Sequence, residues 1–401
     1  MINKEKEIKE LTKKYEKDMI NFAINMVKTP SFSCQEGKLV DLIKKEMIKC
    51  KFDKVKIDKM GNILGFIGNG KKKIMIDAHI DTVGVGDPKA WKIDSFKGVF
   101  KNNTLYGRGA TDQKLSMVSM VYAGKIIKEL GLAKDYTYIA VGSVQEEDCD
   151  GLPILHIIQK EKIKPDYVIL TEPTNLSVYR GHRGRMEIKV VVKGKSCHAS
   201  APERGDNAVF KMSHIVQEIT ELNERLKDDK FLGKGTVAVT YMECKTPSLN
   251  AVPDEATIYL DRRLTVGEDK KLAISQIQNL PSVKKYRAKV EMLYYEAKSW
   301  TGLKVSQEKY FPTWVMKEEH PLVQAAIKAA FVSLGKKPIV DKWVFSTNGV
   351  ASCGRLKIPT IGFGPSNEIY AHSINEQMPV DHLLKAASFY ACIGSFIAEK
   401  K

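Results

Sequence analysis

No stretch of the sequence approaches the roughly 18 uninterrupted apolar residues that a membrane span requires, so a membrane protein is not expected. The opening segment, MINKEKEIKELTKKYEKDMI, mixes Lys and Glu at helical spacing and lacks the apolar core of a signal peptide. It reads as an amphipathic surface helix of a cytoplasmic protein. Cysteine is sparse and unpatterned: the seven residues at 34, 50, 149, 197, 244, 353 and 392 are odd in number and contain no C-x-x-C pair. That argues against a disulfide framework and against a thiolate zinc site, so any metal would have to rest on His and carboxylates. Neither an internal repeat nor a low-complexity linker interrupts the chain.

Arginine is scarce beside lysine, and its placement differs. Lysine is spread along the whole chain and produces most of the net charge of +16. Arg108, Arg180, Arg183, Arg185, Arg204, Arg262 and Arg263 instead fall in or beside the motifs described below. Arginine suits bidentate recognition of carboxylate or phosphate. No aromatic–basic interleaving of the kind that stacks bases accompanies the charge, so nucleic-acid binding is not expected. A basic cleft for a small anionic substrate is the narrower reading.

What is present is the composition of an ordinary globular protein, 43% hydrophobic and 28% charged, over 401 residues, enough for two domains. Residues 4–28 and 36–49 have helical spacing. Lys73–His79, Tyr136–Val144 and Tyr167–Thr171 are apolar runs of buried-strand type, with a helix predicted over Asp112–Leu130. Strands alternating with helices imply an α/β sheet covered on both faces, with ligands at the strands' carboxyl ends. From about residue 180 the order becomes β-α-β-β-α-β, the ferredoxin-like plan: strand 185–192, helix 207–226, strands 236–243 and 256–262, helix 268–279, strand 289–295. The expected organisation is a larger domain, residues 1–179 and 298–401, into which a smaller domain, residues 180–297, is inserted. A helix (His320–Leu334) and the apolar run Ile358–Phe363 belong to the second part of the larger domain.

Five short motifs could carry chemistry. His79-Ile80-Asp81 ends the first buried strand, where His79 and Asp81 point the same way, so a ligand imidazole could have a carboxylate at its other nitrogen. Gly107-Arg108-Gly109-Ala110-Thr111-Asp112 opens a helix, and Asp112 could equally be a plain N-cap. Glu146-Glu147-Asp148 follows the second strand; adjacent acids repel unless solvated or shared with cations. Glu172-Pro173-Thr174 follows the third strand, and Tyr370-Ala371-His372-Ser373 follows a glycine-rich loop. Each alone has an ordinary reading as a turn, cap or solvated surface. Together they supply two imidazoles and several carboxylates at strand ends, a set that suits zinc, cobalt or manganese.

The pieces IDAHIDTV, GRGATDQK, QEED, TEPT and IYAHSINEQ, in this order, resemble the dinuclear-zinc family of acetylornithine deacetylase, succinyl-diaminopimelate desuccinylase, aminoacylase and carboxypeptidase G. The inserted β-α-β-β-α-β unit is similar to that family's lid and dimerisation domain. The runs KWVFSTNGVASCGR and GFGPSNEIYAH look closest to a subgroup labelled selenium-metabolism-linked hydrolases. The resemblance implies an α/β fold with a mixed sheet flanked by helices, plus the ferredoxin-like lid. It also implies hydrolysis of an amide bond in an N-acylated or N-carbamoylated amino acid or diamino acid, or in a dipeptide. His79 and Glu172 would hold one divalent ion, most simply zinc, and Glu147 and His372 a second, with Asp112 bridging. Asp81 would orient His79, and Glu146 would be the general base. In the lid, His198 would donate to the developing oxyanion, across a homodimer interface, while Asn250 and Arg262 would anchor a substrate carboxylate. One residue departs from the pattern: relatives often carry Asp where this chain has Asn348, on a loop expected to shape the pocket.

Overall fold

The computed structural model describes residues 2–398; residue 1 and residues 399–401, the outer limits of the larger expected domain, lie outside the described residues. The N-terminal helical pattern divides at Tyr15 into α1 (Ile2–Lys14) and α2 (Glu16–Val27), followed by α3 (Gly37–Lys49). In α2, Met19, Phe22, Ala23, Met26 and Val27 are buried. Their spacing makes one continuous apolar stripe, which sets the helix against the core.

The larger sheet begins with β1 (Lys54–Ile57), β2 (Ile63–Ile67) and β3 (Lys72–His79). After α4 (Lys114–Glu129) come β4 (Tyr136–Ser143), β5 (Tyr167–Leu170) and β6 (Val178–His182). β3 is buried from Ile74 to His79, as a strand covered on both faces must be. Helix α4 starts two residues later than Asp112, whose backbone is not the cap; Gln113 takes that position.

The chain then builds a second sheet with its own apolar cluster. Its elements are β7 (Gly184–Lys193), α5 (Ala208–Glu224), β8 (Thr236–Lys245), β9 (Glu255–Leu264), α6 (Lys270–Gln278) and β10 (Lys289–Met292). The order β8-β9-β7-β10 is antiparallel throughout. Met186, Ile188, Val190 and Val192 of β7 join Ile258, Leu260 and Leu264 of β9 against both helices. Residues of the opposite parity, among them Arg185 and Arg263, therefore occupy the other face.

The last strand of this sheet is shorter than the sequence predicts. It stops at Met292, and residues 294–308 form a separate hairpin, β11 (Tyr294–Lys298) and β12 (Lys304–Glu308). Two residues, β13 (Tyr310–Phe311), return to pair with β7. The turn at Thr301-Gly302, with Gly302 at φ +90°, closes the hairpin.

The larger sheet is completed from the C-terminal part by β14 (Trp314–Val315), β15 (Val340–Trp343) and β16 (Thr360–Gly362), with α7 (Pro321–Leu334) between the first two. The strand order is β1-β2-β4-β3-β5-β16-β6-β14, with β15 beside β6. Pairings of both senses occur, so the sheet is mixed. A helix absent from the sequence reading, α8 (Val380–Ala398), packs among α1, α4 and α7 and buries Leu383, Phe389, Tyr390 and Ile393. Among the described residues, no helix is long and apolar enough to cross a membrane.

Candidate metal centre and active site

Every proposed metal donor stands on a segment that leaves the larger sheet at the carboxyl end of a strand or opens a helix beside it. His79 is the last residue of β3; Glu146 and Glu147 follow β4; Glu172 follows β5; His372 lies on the loop after β16. Asp112 reaches the same place from the turn before α4. That turn holds Gly107 and Gly109 at φ +142° and +82°. A Cβ on Gly107 would lie 2.7 Å from the Ser95 carbonyl oxygen, so only glycine allows the approach.

Asp112 stands between the two imidazoles. Its Oδ1 is 2.8 Å from His79 Nε2, and its Oδ2 is 3.2 Å from His372 Nε2. Glu172 Oε1 lies 3.8 Å from His79 Nε2, and Glu147 Oε2 lies 3.0 Å from His372 Nε2. The side chains thus form two donor sets, His79–Asp112–Glu172 and Asp112–Glu147–His372, which share Asp112. His79, Asp112 and Glu172 are buried, whereas His372 is 55% exposed and closes the site from the solvent side.

Burial pushes the carboxyl groups of Glu146 and Glu172 well above the usual range, and the charges of neighbouring acids add to it. Glu147 is raised in the same way, by burial first and then by Asp112. Burial works against Asp112 too, but hydrogen bonds from both imidazoles hold it below the usual range. His372 is raised to about 10 by its bonds to Asp112 and Glu147. Four buried carboxylates in one space repel unless cations are shared among them. Oε1 of Glu146 and Oε1 of Glu147 are buried with no hydrogen-bond partner among the described residues. Oxygen and imidazole donors without thiolate, arranged in two converging sets, fit divalent metal.

The supports of these donors are as informative as the donors. His79 Nδ1 lies 3.0 Å from the backbone carbonyl of Asp81 and 3.6 Å from its Oδ1, so the nearer acceptor for its ring N–H is the main chain. The Asp81 carboxylate mainly holds the next loop: it accepts from the backbone N–H groups of Glu146 (3.1 Å) and Glu147 (3.2 Å) and from Ser33 Oγ (2.7 Å). Glu376, a residue that sequence reasoning passed over, accepts from the backbone N–H groups of Thr111 (3.0 Å) and Asp112 (2.8 Å) and pairs with Arg108 (2.7 Å). The one available hint was its place four residues beyond His372 in the IYAHSINEQ motif.

The donors border a cavity of about 360 Å³ whose other walls include Asp150, Arg185, Arg263, Phe345, Ser346 and Glu368. Arg262 does not reach it. Its guanidinium is fully buried and paired with Glu268 at 2.6 Å on the helix side of the second sheet. Strand alternation is the reason: Arg262 shares the parity of Ile258, Leu260 and Leu264, and Arg263 the opposite one. Arg263 is paired in register with Arg185 of β7, and both face the cavity. Nor does Asn348 line the pocket. It is buried behind it, its Nδ2 donating to Asp77 Oδ2 (2.8 Å) and Ser143 Oγ (3.1 Å) and its Oδ1 accepting from Gly151 N–H (2.7 Å). Phe345 and Ser346 are the residues of that loop that shape the cavity. His198 and Asn250 lie together but outside it, both exposed. Ala199 N–H donates to Asn250 O at 2.8 Å, and His198 Nδ1 is 2.7 Å from Ser200 Oγ.

An α/β sheet with paired carboxylate–imidazole donor sets at its strand ends is the arrangement of a metal-dependent hydrolase, and the relatives make it an amidohydrolase. The chain belongs to peptidase family M20/M25/M40, which residues 75–394 match. It is 52% identical over 386 residues to the protein YgeY of Escherichia coli (strain K12), covering 96% of each chain. It is 27% identical over 321 residues to an acetylornithine deacetylase of Buchnera aphidicola subsp. Schizaphis graminum, covering 79% of this chain and 78% of that one. The crystal structure of aminopeptidase PepT from Bacillus cereus superimposes with a TM-score of 0.75 at 19% identity, covering 96% of this chain and 99% of the other.

Proposed function

We propose that this protein hydrolyses the amide bond of an N-acylated amino acid with two divalent ions, zinc foremost, and that N-acyl diamino acids are its favoured substrates. The observation that carries the reading is the pair of donor sets joined by Asp112. His79 and Glu172 would hold one ion, Glu147 and His372 the other. When bound, such a pair polarises a carbonyl and acidifies water. Glu146, in the cavity but in neither donor set, accepts the proton of the attacking water and delivers it to the leaving nitrogen. Asp81 holds the backbone of Glu146 and so keeps the base in place.

Arg263 is the carboxylate anchor in this reading. Its Nε and Nη2 are bonded to Asp261 at 2.7 and 3.2 Å, which fixes the guanidinium and leaves its remaining edge for substrate. Glu368 supports the diamino preference: it lines the same cavity, and its Oε2 is buried with no partner among the described residues. A free ammonium group is the natural complement of that carboxylate.

Homodimer formation through the lid belongs to the same reading. β8 is a free edge strand, and Tyr241 and Met242 on it and Leu249 just beyond are exposed. Such an edge is a ready surface for a second copy. His198 and Asn250, exposed and outside their own chain's cavity, would serve the site of that copy, with His198 donating to the oxyanion. The seven free cysteines agree with a reducing, cytoplasmic setting.

The test is a screen of N-acetyl, N-succinyl, N-carbamoyl and dipeptide substrates after chelation and after reconstitution with zinc, cobalt or manganese. Chelation is expected to remove hydrolysis and metal to restore it. N-acetylornithine should be turned over faster than N-acetylnorvaline, its analogue without the amino group. Hydrolysis unchanged by chelation, in protein without stoichiometric metal, would falsify the metal reading.

The two arginines should separate cleanly. Arg263→Ala is expected to raise KM about 10-fold or more while thermal stability stays close to wild type, because it removes a charged contact near the surface of the cavity. Arg262→Ala should instead cost about 3–5 kcal/mol of stability, because it strands the buried Glu268 carboxylate. Thermal melts and steady-state kinetics on both variants check the assignment, and a KM effect confined to Arg262→Ala would reverse it.

A further inference from the structure

The loop that carries Glu146 is held from a direction the reaction does not explain. Gln145, immediately before the base, has φ +57°, a left-handed backbone that non-glycine residues seldom adopt and that needs outside support. Part of that support comes from the start of α3: Gln145 N–H donates to Glu36 Oε1 at 3.0 Å. Asp81 holds the next two residues by their backbone N–H groups, and further support comes from the hairpin β11–β12, which follows the last strand of the second sheet.

Tyr295 of β11 and Gln307 of β12 are opposite each other in the hairpin register, so their side chains leave on the same face. Tyr295 Oη accepts from Gln145 Nε2 at 2.9 Å and donates to Asp148 Oδ2 at 3.1 Å. Gln307 Nε2 donates to the Asp150 carbonyl at 3.1 Å and lies 3.1 Å from Cys149 Sγ. One pair of side chains therefore grips the loop on both sides of the Glu146–Glu147 pair. The hairpin is also tied into the lid sheet at its root. Leu293 N–H donates to Glu187 O at 3.1 Å, Lys309 N–H donates to Leu293 O at 2.8 Å, and β13 continues into pairing with β7.

We infer that the hairpin is a brace that transmits the position of the lid to the general-base loop, with Tyr295 and Gln307 as its positioning residues. Neither residue borders the cavity, so neither is a catalytic residue. The inference rests on the reading of Glu146 as the base. Its physical content is that the base is placed by the lid as well as by its own sheet. Misplacing a catalytic group by a fraction of an ångström lowers turnover without changing how substrate is held.

The experiment compares Tyr295→Phe and Gln307→Leu with Tyr294→Phe, a change on the adjacent, exposed residue. Backbone hydrogen exchange is followed over residues 144–151 and over β7, alongside metal content, kcat and KM. Both brace variants are expected to exchange faster at 144–151, with β7 and metal content unchanged, and to lose roughly tenfold or more in kcat at nearly constant KM. Tyr294→Phe should match wild type throughout. Unchanged exchange at 144–151 in both variants overturns the brace. Faster exchange with wild-type kcat, or a loss that falls on KM, overturns its role in positioning the base. Should the wild type hydrolyse none of the screened amides, the proposed function fails, while the exchange measurement still decides whether the hairpin holds the loop.

Discussion

Replacing Glu146 by Ala is expected to abolish measurable turnover while metal content stays at the wild-type level. Glu146 stands among the donors, but its carboxylate belongs to neither converging set. It is buried, raised well above the usual carboxylate range by burial, and Oε1 has no partner among the described residues. Its free oxygen, in the wall of the cavity beside the donors, is placed to take a proton from water bound there. Positioned proton transfer contributes about 10²–10⁴-fold, so the loss should be at least of that order. Elemental analysis of the purified variant is the decisive companion measurement. A matching loss of metal would show that Glu146 is a ligand, and the base would then have to be sought elsewhere.

Asp112→Ala should have the largest effect on metal content of any single change. Its two oxygens face different imidazoles, Oδ1 toward His79 and Oδ2 toward His372, so its removal takes one donor from both sets at once. Glu172→Ala takes a donor from one set only. The stoichiometry after dialysis should therefore fall further for Asp112→Ala than for Glu172→Ala, with activity lost in both. Equal losses, or a larger loss for Glu172→Ala, would mean that Asp112 does not join the two sets.

Much of this site could be read from the sequence because its donors follow apolar runs. KIMIDAH and YVILT are buried strands on composition alone, and polar residues at the end of a buried strand have few ordinary uses. The order of the second sheet was legible for a similar reason: β7 alternates with period two along its length and β9 from Ile258 to Leu264. That same alternation contained the answer for the arginines, since the parity of Ile258 and Leu260 assigns Arg262 to the core and Arg263 to the open face. The resemblance, which gives the carboxylate anchor to Arg262, does not carry that parity. Other features were out of reach. Val380–Ala398 is apolar on most sides because it is buried by three helices, so no single stripe marks it as core-facing. Asn348 satisfies hydrogen bonds on β3, β4 and the loop after β4, three segments distant in sequence, and nothing local in FSTNG announces it. Glu376 acts on backbone N–H groups, which leave no trace in side-chain identity.

The position of β16 has a consequence for how this protein is made. Residues 360–362 slot between β5 and β6, strands that leave the ribosome almost two hundred residues earlier, and His372 follows ten residues after them. During synthesis the emerging chain can hold β3, β4 and β5 together and complete the compact inserted sheet. The central gap stays open until residues 360–362 are translated. Until then the nascent protein exposes a strand edge beside a half-built charge cluster, with one imidazole in place and the other still to come. The second donor set cannot be complete before residue 372 is made, and a product truncated before residue 360 keeps both an unfilled sheet and an incomplete donor set.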